Sequence, residues 1–170
     1  MKACRKIVVL LALSIIMCCI SFAYAVDDTA ELVKTLKDKS GKVRQSAAGQ
    51  LIKMGWKPAN ESERIDFLIA ITKFSELEKM GAVAVEPLIN VLDDDSGMVR
   101  VSVALALGRL KDARAIEPLI NGMNNKKNSG YMKGNFIKSL KKLTKQDFGD
   151  DHAKWLDWWT KNKESFVVGK

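Results

Sequence analysis

The apolar positions between residues 84 and 121 follow a pattern that begins again after thirty-one residues. Residues 84–90 read AVEPLIN, and residues 115–121 read AIEPLIN. Between the two copies lie an acidic turn and a segment, 97–110, whose apolar side chains recur every three or four residues on two opposite stripes. Because a helix that is apolar nearly all round packs on both sides, this segment predicts the buried second helix of a helix pair. Self-similarity at this period predicts a stack of such pairs.

Further copies of the pair lie on both sides of this stretch. Residues 32–51 match residues 88–107 at a spacing of 56 residues. Because that spacing is close to two repeat lengths, we expect a degenerate unit in between, which begins at a break in residues 55–58 (GWKP). One more pair follows, with a turn two residues longer. The predicted units are about 29–55, 56–81, 82–111 and 112–145, followed by a capping helix at 150–167.

These patterns predict an all-α fold, a short right-handed α-solenoid of antiparallel helix pairs. The same residues resemble HEAT-like repeats of the phycobilisome-lyase type, an armadillo-like helical family. Units of this family run as A-V-x-P-L-I, an acidic turn, V-R, and a helix of small residues that ends with L-G. Residues 84–110 follow that order with little departure. The resemblance implies the fold and leaves the activity open, because such repeats serve many functions.

The resemblance also implies a structural role for four charged residues. In HEAT repeats an aspartate in the turn and an arginine six residues later form a ladder, in which each arginine bridges to the aspartate of a neighbouring unit. These positions here hold Asp38, Arg44, Asp94 and Arg100. The planar fork of arginine suits such a bridge, and we favour this structural interpretation over ligand binding. In the fourth unit lysines replace both residues, so we expect the ladder to stop there.

The first twenty-five residues have the composition of a signal peptide. A basic start (residues 2–6, KACRK) precedes an uncharged apolar run at 7–22, and Ala-Tyr-Ala at 23–25 fits a signal peptidase site. We therefore expect residues 26–170 to be exported to the periplasm or the exterior of a bacterial cell. An uncleaved membrane anchor is the alternative, although the apolar run is short for a span. All three cysteines lie in this segment, so the exported part has no disulfide.

The residue inventory argues against catalysis. His152 is the only histidine and residues 26–170 contain no cysteine, so a metal site would need carboxylates alone. Asp93, Asp94 and Asp95 are adjacent rather than spaced as in a calcium loop. Some HEAT-repeat proteins resemble deoxyhypusine hydroxylase, an iron enzyme with paired His-Glu dipeptides, and this chain has no such dipeptide. Phosphate-binding loops and nucleophile elbows are also absent from the sequence. We thus predict no catalytic residue, no metal site and no cofactor.

The C-terminal part of the chain leaves two choices of interpretation open. Residues 124–170 contain eleven lysines and five acids. We interpret these lysines as a solvated face, with a basic module for anionic glycan or membrane as the alternative. Trp155, Trp158 and Trp159 share a helix at spacings that bring them close together, so they can close the end of the stack. An exposed aromatic platform for a ligand is the alternative.

We therefore expect an exported, non-enzymatic, monomeric scaffold that binds a protein partner on its concave side. Second helices line that side of a HEAT-like stack, and the candidate contact residues are Lys42, Gln45 and Arg109, which lie off the apolar stripes. We expect no nucleic acid as a partner, and membrane contact only through an uncleaved signal segment. An enzyme or enzyme-accessory protein of the HEAT-like lyase type is the alternative. Export argues against it, because bilin lyases act on cytosolic or stromal pigment proteins.

Overall fold

Helices joined by short turns make up the structure, a computed structural model that describes residues 28–168. No strand occurs among these residues, and the predicted all-α fold is confirmed. The helices occupy residues 28–35 (α1), Gly41–Lys53 (α2), Glu61–Ala70 (α3), Phe74–Met80 (α4), Val85–Ile89 (α5), Gly97–Leu110 (α6), Ile116–Met123 (α7), Gly130–Thr144 (α8) and His152–Asn162 (α9), with 3₁₀ turns at Gly81–Ala84 and Ala113–Ala115. Each of the four predicted units contains one helix pair. The pairs are α1 with α2, α3 with α4, α5 with α6, and α7 with α8.

The helices form two layers, as a solenoid requires. The second helices α4, α6 and α8 stack side by side, while α3 lies beside α5 and α7 lies beside α9. Helix α6 is the central element, because it contacts α4 on one side, α8 on the other and its own partner α5. One apolar stripe is buried through Val99, Val103 and Leu107 and the other through Val101 and Gly108, while Leu105 of the second stripe is partly exposed. The prediction of a second helix buried on both sides is confirmed.

Several helix boundaries follow from local chemistry that the sequence displays. The side chain of Asn60 accepts a hydrogen bond from the amide of Glu63 and begins α3, and Ser96 does the same for α6. Gly81 ends α4 and Gly149 separates α8 from α9, both with a positive φ that glycine adopts without strain. The pairs are therefore separated by turns whose positions the sequence largely determines.

The hydrophobic core is divided unequally along the stack. One large cluster runs from α3 to α9 and includes Leu77, Leu107 and Phe136, all of them fully buried. A small second cluster lies in the first unit, where Leu36 packs with residues of α2 and with Ala70. This small cluster joins the first unit to α3, and it is separate from the large cluster that holds the rest of the stack.

The last helix is shorter than the predicted span of 150–167. It ends at Asn162, after which the chain turns back so that the ring of Phe166 lies 5.6 Å from Trp158 and 5.7 Å from Trp159, nearly at right angles to both. A continued helix would carry Phe166 about 10 Å along the axis beyond Trp159. The turn therefore gains an aromatic contact that a longer helix would lose.

No helix in the part of the chain from 28 to 168 is both long enough and apolar enough to cross a membrane. The predicted signal peptide, residues 1–25, lies outside the described residues.

Candidate functional site

Two turns of the stack share the same hydrogen-bonded arrangement. In the first unit the carboxylate of Asp38 accepts from the amide of Ser40 at 2.7 Å, and Nη1 of Arg44 donates to the carbonyl of Asp38 at 2.8 Å. The third unit repeats this geometry, with Asp94 accepting from the amide of Ser96 at 2.7 Å and Arg100 donating to the carbonyl of Asp94 at 2.6 Å. Each arginine thus donates to two successive carbonyls in the turn that precedes its own helix.

The two turns are also joined directly. Nη2 of Arg44 donates to the Oδ2 atom of Asp94, and both side chains are almost completely buried. Gly41 makes room for this contact, because a Cβ atom there would lie 3.1 Å from Oδ1 of Asp94. The pair connects the first unit to the third and passes over the second, whose short turn at residues 71–73 has no aspartate.

The expectation that the ladder stops at the fourth unit is wrong in one respect. Nε of Arg100 donates to Oδ1 of Asn128 at 2.8 Å, and Nη2 donates to the carbonyl of Lys127, also at 2.8 Å. The two extra residues of this turn bring the neutral amide of Asn128 to the guanidinium, while the Lys127 ammonium extends outward to Asp93 at 3.1 Å. The series of arginine–aspartate ion pairs ends before the fourth unit, but the series of hydrogen bonds from arginine to the next turn continues into it. Lys133, in the arginine position of that unit, points to Asp150 instead.

A groove of about 550 Å³ lies over this ladder, between α3 and the turns of the first and third units. Its charges occur mainly in pairs, such as Lys37 with Asp66 at 3.4 Å and Lys127 with Asp93. Burial raises the pKa of Asp66, and Lys37 opposes that rise. Within the described part of the chain, no group of three or more His, Cys, Asp or Glu side chains is arranged to hold a metal ion. We therefore interpret the groove and its ladder as structural.

The three candidate contact residues occupy different environments. Lys42 and Gln45 are exposed on α2. Arg109 is half-exposed on α6, and its guanidinium forms an ion pair with Glu78 of α4 at 2.6 Å. Arg109 therefore also links two adjacent second helices through this ion pair.

Two further exposed residues were not among the predicted contacts. The side chains of Met98 and Tyr131 are 75% and 82% exposed, and each follows the glycine that begins its helix. Lys42 occupies the same position in α2. Aligning the repeats therefore places Met98 and Tyr131 at the position of a lysine, which indicates exposure to solvent. Without that alignment, an apolar residue in a helix of this kind is ordinarily assigned to the core.

We use the name second-helix face for the equivalent solvent-facing positions of α2, α6 and α8. Its members recur at helical spacing along each helix, and they are apolar or basic at the two ends and mostly small or polar in the middle. The residues are Lys42, Gln45, Ser46, Gly49 and Lys53 of α2, Met98, Ser102, Leu105 and Arg109 of α6, and Tyr131, Gly134, Asn135, Lys138 and Lys142 of α8.

The C-terminal tryptophans lie mostly inside the molecule. Trp155 is fully buried and donates its indole hydrogen to the carbonyl of Gly149 at 3.0 Å. Trp159 is 8% exposed and donates to Glu117 of α7 at 3.3 Å. Trp158 is half-buried between Trp155 and Phe166. This arrangement places the aromatic rings against the last pair, where they cover its open side.

The comparisons with known proteins agree with this architecture. A family model described as PBS lyase HEAT-like repeat matches residues 99–125, which extend from α6 through α7. A comparison with curated proteins finds no match to the chain. Together, the stacked helix pairs and the matched segment define the class of fold: this is an all-α helical solenoid that contains a segment similar to a PBS lyase HEAT-like repeat.

Proposed function

We propose that this protein is an exported, non-enzymatic scaffold that binds a protein partner through the second-helix face. The observation that carries the proposal is the exposure of Met98 and Tyr131 at equivalent positions of adjacent helices. Single exposed apolar side chains are common on protein surfaces and need no explanation. These two lie at the starts of two helices that pack against each other, and these starts approach closely, since a Cβ atom on Gly97 would lie 2.9 Å from Sδ of Met132.

The residue types on this face favour a protein as the ligand. Methionine, tyrosine and arginine are enriched at protein interfaces relative to the rest of the surface. Small residues lie between the two ends of the face, among them Gly49, Ser102 and Gly134. The tryptophans do not offer a comparable surface, because their rings lie mostly in the core.

We assign no reaction to the protein. The family match carries the word lyase, but it covers a structural repeat in which the buried residues Val103, Leu107 and Ile116 recur. Most charged groups of the groove pair with one another, as Lys37 does with Asp66, Arg44 with Asp94 and Lys127 with Asp93. Export belongs to the same proposal and rests on the composition of residues 1–25.

Site-specific photocrosslinking in the native host tests the proposed surface. A photoreactive phenylalanine analogue replaces Tyr131 or Met98 in the full chain, and Asn121 serves as the matched control. Asn121 is exposed on α7, the partner of α8 in the same unit, but in the other layer. We expect the same discrete adduct from positions 131 and 98 and none from position 121. Equal adducts from all three positions, or none from 131 and 98, would contradict the proposal.

A further inference from the structure

Three of the four second helices lack acidic residues. Helices α2, α6 and α8 contain no aspartate or glutamate, whereas the fourth, α4, carries Glu76 and Glu78, which form ion pairs with Lys79 and Arg109. Four lysines of the second-helix face have no ionic or hydrogen-bonding partner for their side chains within the described chain, namely Lys42, Lys53, Lys138 and Lys142. The face is therefore a surface of unpaired positive charge next to two exposed apolar side chains.

Helix stability explains only part of this pattern. Cations near the C-terminal end of a helix interact favourably with its dipole, and that accounts for Lys53, Arg109 and Lys142. The same effect favours acids in the first turn, yet the first turns of α2, α6 and α8 contain none. Lys42 lies in the first turn of α2, where the dipole disfavours a cation, and Lys138 lies in the middle of α8. The absence of acids from all three helices thus needs a further cause.

We propose that the partner presents an acidic surface with an apolar side chain at one end, and this inference rests on the proposed function. The apolar side chain packs between Met98 and Tyr131. Carboxylates of the partner then lie towards Lys138, Lys142 and Arg109. Arg109 lies eleven positions after Met98, so the apolar and acidic contacts are about 16 Å apart along the helix axis.

The arginines indicate a protein rather than a phosphate polyanion. Bidentate arginine is the side chain best suited to phosphate recognition. Arg44 and Arg100 are buried in the ladder, and Arg109 is held by Glu78. The unpaired cations of the face are all lysines, separated by small and apolar positions. Carboxylates on a folded partner need no bidentate fork, and an apolar anchor beside them fits an acidic protein surface.

The test uses the adduct protein captured from position 131, identified by mass spectrometry and then purified. A face variant carries Lys53→Glu, Lys138→Glu and Lys142→Glu. A control variant carries Lys39→Glu, Lys57→Glu and Lys163→Glu, which change the net charge equally at exposed lysines outside the face that also lack ionic partners. We expect the face variant to raise the Kd by at least about tenfold, and the control variant by less than about threefold. Added salt should weaken binding of the adduct protein to the parent protein. It should have little effect on binding to the face variant.

Thermal unfolding of both variants verifies that they remain folded, and heparin and phosphatidylglycerol vesicles serve as polyanion probes. An adduct protein that binds parent and face variant equally would overturn this inference and leave the proposed function standing. Heparin or vesicles that bind more tightly than the adduct protein, with the binding lost in the face variant, would overturn it in favour of a polyanion. If positions 131 and 98 capture nothing, the proposed function fails and this inference fails with it.

Discussion

Arg44 and Asp94 lie fifty residues apart in the chain and form a buried ion pair that joins the first repeat to the third. Their side chains are 3% and 0% exposed. A solenoid ordinarily gains its stability from contacts between successive units. Here a single polar contact passes over the degenerate unit, and the consequences of breaking it can be measured.

Asp94→Ala should strongly destabilise the fold. The substitution leaves the Arg44 guanidinium buried without its carboxylate, and breaking a buried pair in this way costs about 3–5 kcal/mol. It also removes the acceptor for the amide of Ser96 in the turn. Urea unfolding followed by circular dichroism measures the change. The control is Asp93→Ala next to it, where an exposed pair with Lys127 is worth about 0–1 kcal/mol. Equal effects of the two substitutions would contradict the buried pair.

Two glycines should respond to alanine with opposite signs. A Cβ atom on Gly122 would lie 2.3 Å from a ring carbon of Phe136, which is fully buried, so Gly122→Ala should destabilise by about 1–3 kcal/mol. Gly134 lies in α8 with nothing within 4 Å of the corresponding position. Gly134→Ala should therefore stabilise by about 0.5–1 kcal/mol, because alanine loses less backbone freedom in a helix. Denaturant unfolding measures both effects. A midpoint below that of the parent for Gly122→Ala, and one above it for Gly134→Ala, would verify the packing of α7 against α8.

Trp155→Ala should lower the melting temperature substantially. The side chain is fully buried, and its ring centroid lies 4.9 Å from that of Phe148. Losing such an aromatic side chain costs about 3–5 kcal/mol. Leu156→Ala on the same helix is the control, because that side chain is 39% exposed and surface changes usually stay within about 0.5 kcal/mol. A Trp155→Ala protein that melts like the parent but gives no adduct from position 131 would instead assign binding to the aromatic tail.

Asp112 and Asp66 should affect the pH dependence of stability in opposite directions. A hydrogen bond from Arg114 lowers the pKa of Asp112. The ionised Asp112 side chain therefore stabilises the fold at pH 7, and this stabilisation is lost as the pH falls through the folded-state pKa. Burial raises the pKa of Asp66, so ionisation of this side chain opposes folding. The contribution of Asp66 to the free energy of unfolding is therefore most favourable at low pH, where the side chain is protonated.

Urea unfolding at pH 7 and at pH 3 measures both effects. At pH 7 we expect Asp112→Asn to be less stable than the parent and Asp66→Asn to be more stable. Both differences should shrink at pH 3, where the unfolded chain is largely protonated at these positions. Asparagine preserves the size and most hydrogen bonds of aspartate. A difference that is unchanged between the two pH values would therefore exclude the charge as its cause.

Export predicts a mature chain that begins at Val26. Intact-mass spectrometry of the protein from its native host should find this N-terminus in the envelope or extracellular fraction, because the peptidase cleaves after Ala25. A cytosolic chain that still contains residues 1–25 would contradict export. It would also remove the argument against a cytosolic enzyme of the lyase type.

The repeat pattern was sufficient to predict the helix pairs, because periodicity and capping residues act locally. Asn60, Ser96 and the glycines at 81 and 149 all occupy the boundaries that their chemistry favours. The end of α9 was not predictable in the same way. Its position depends on a contact between Phe166 and the two tryptophans, and a helical pattern carries no information about that contact.

The polar contacts between units were harder to predict for a related reason. Aligning the fourth turn position by position selects Lys127, yet the acceptor is Asn128, because two inserted residues change which side chain reaches Arg100. The position of Arg109 off the apolar stripes predicts only that its side chain faces solvent. Its ion pair with Glu78 depends on the placement of α4 in a degenerate unit whose register the repeat does not determine.

The small separate core of the first unit has a consequence for how the array loses its structure. The buried apolar residues of that unit are Leu36, Ala47, Ala48 and Leu51, which pack with Ala70 of α3, and this small cluster provides far less hydrophobic stabilisation than the large one. In a linear array the weakest terminal unit detaches first, at a free energy below that of global unfolding. Fraying of α1 and α2 would release Asp94 from Arg44 and remove one helix from the second-helix face. A partner that spans α2 and α6 would oppose this opening, so occupancy of the surface and order at this end of the array are thermodynamically linked.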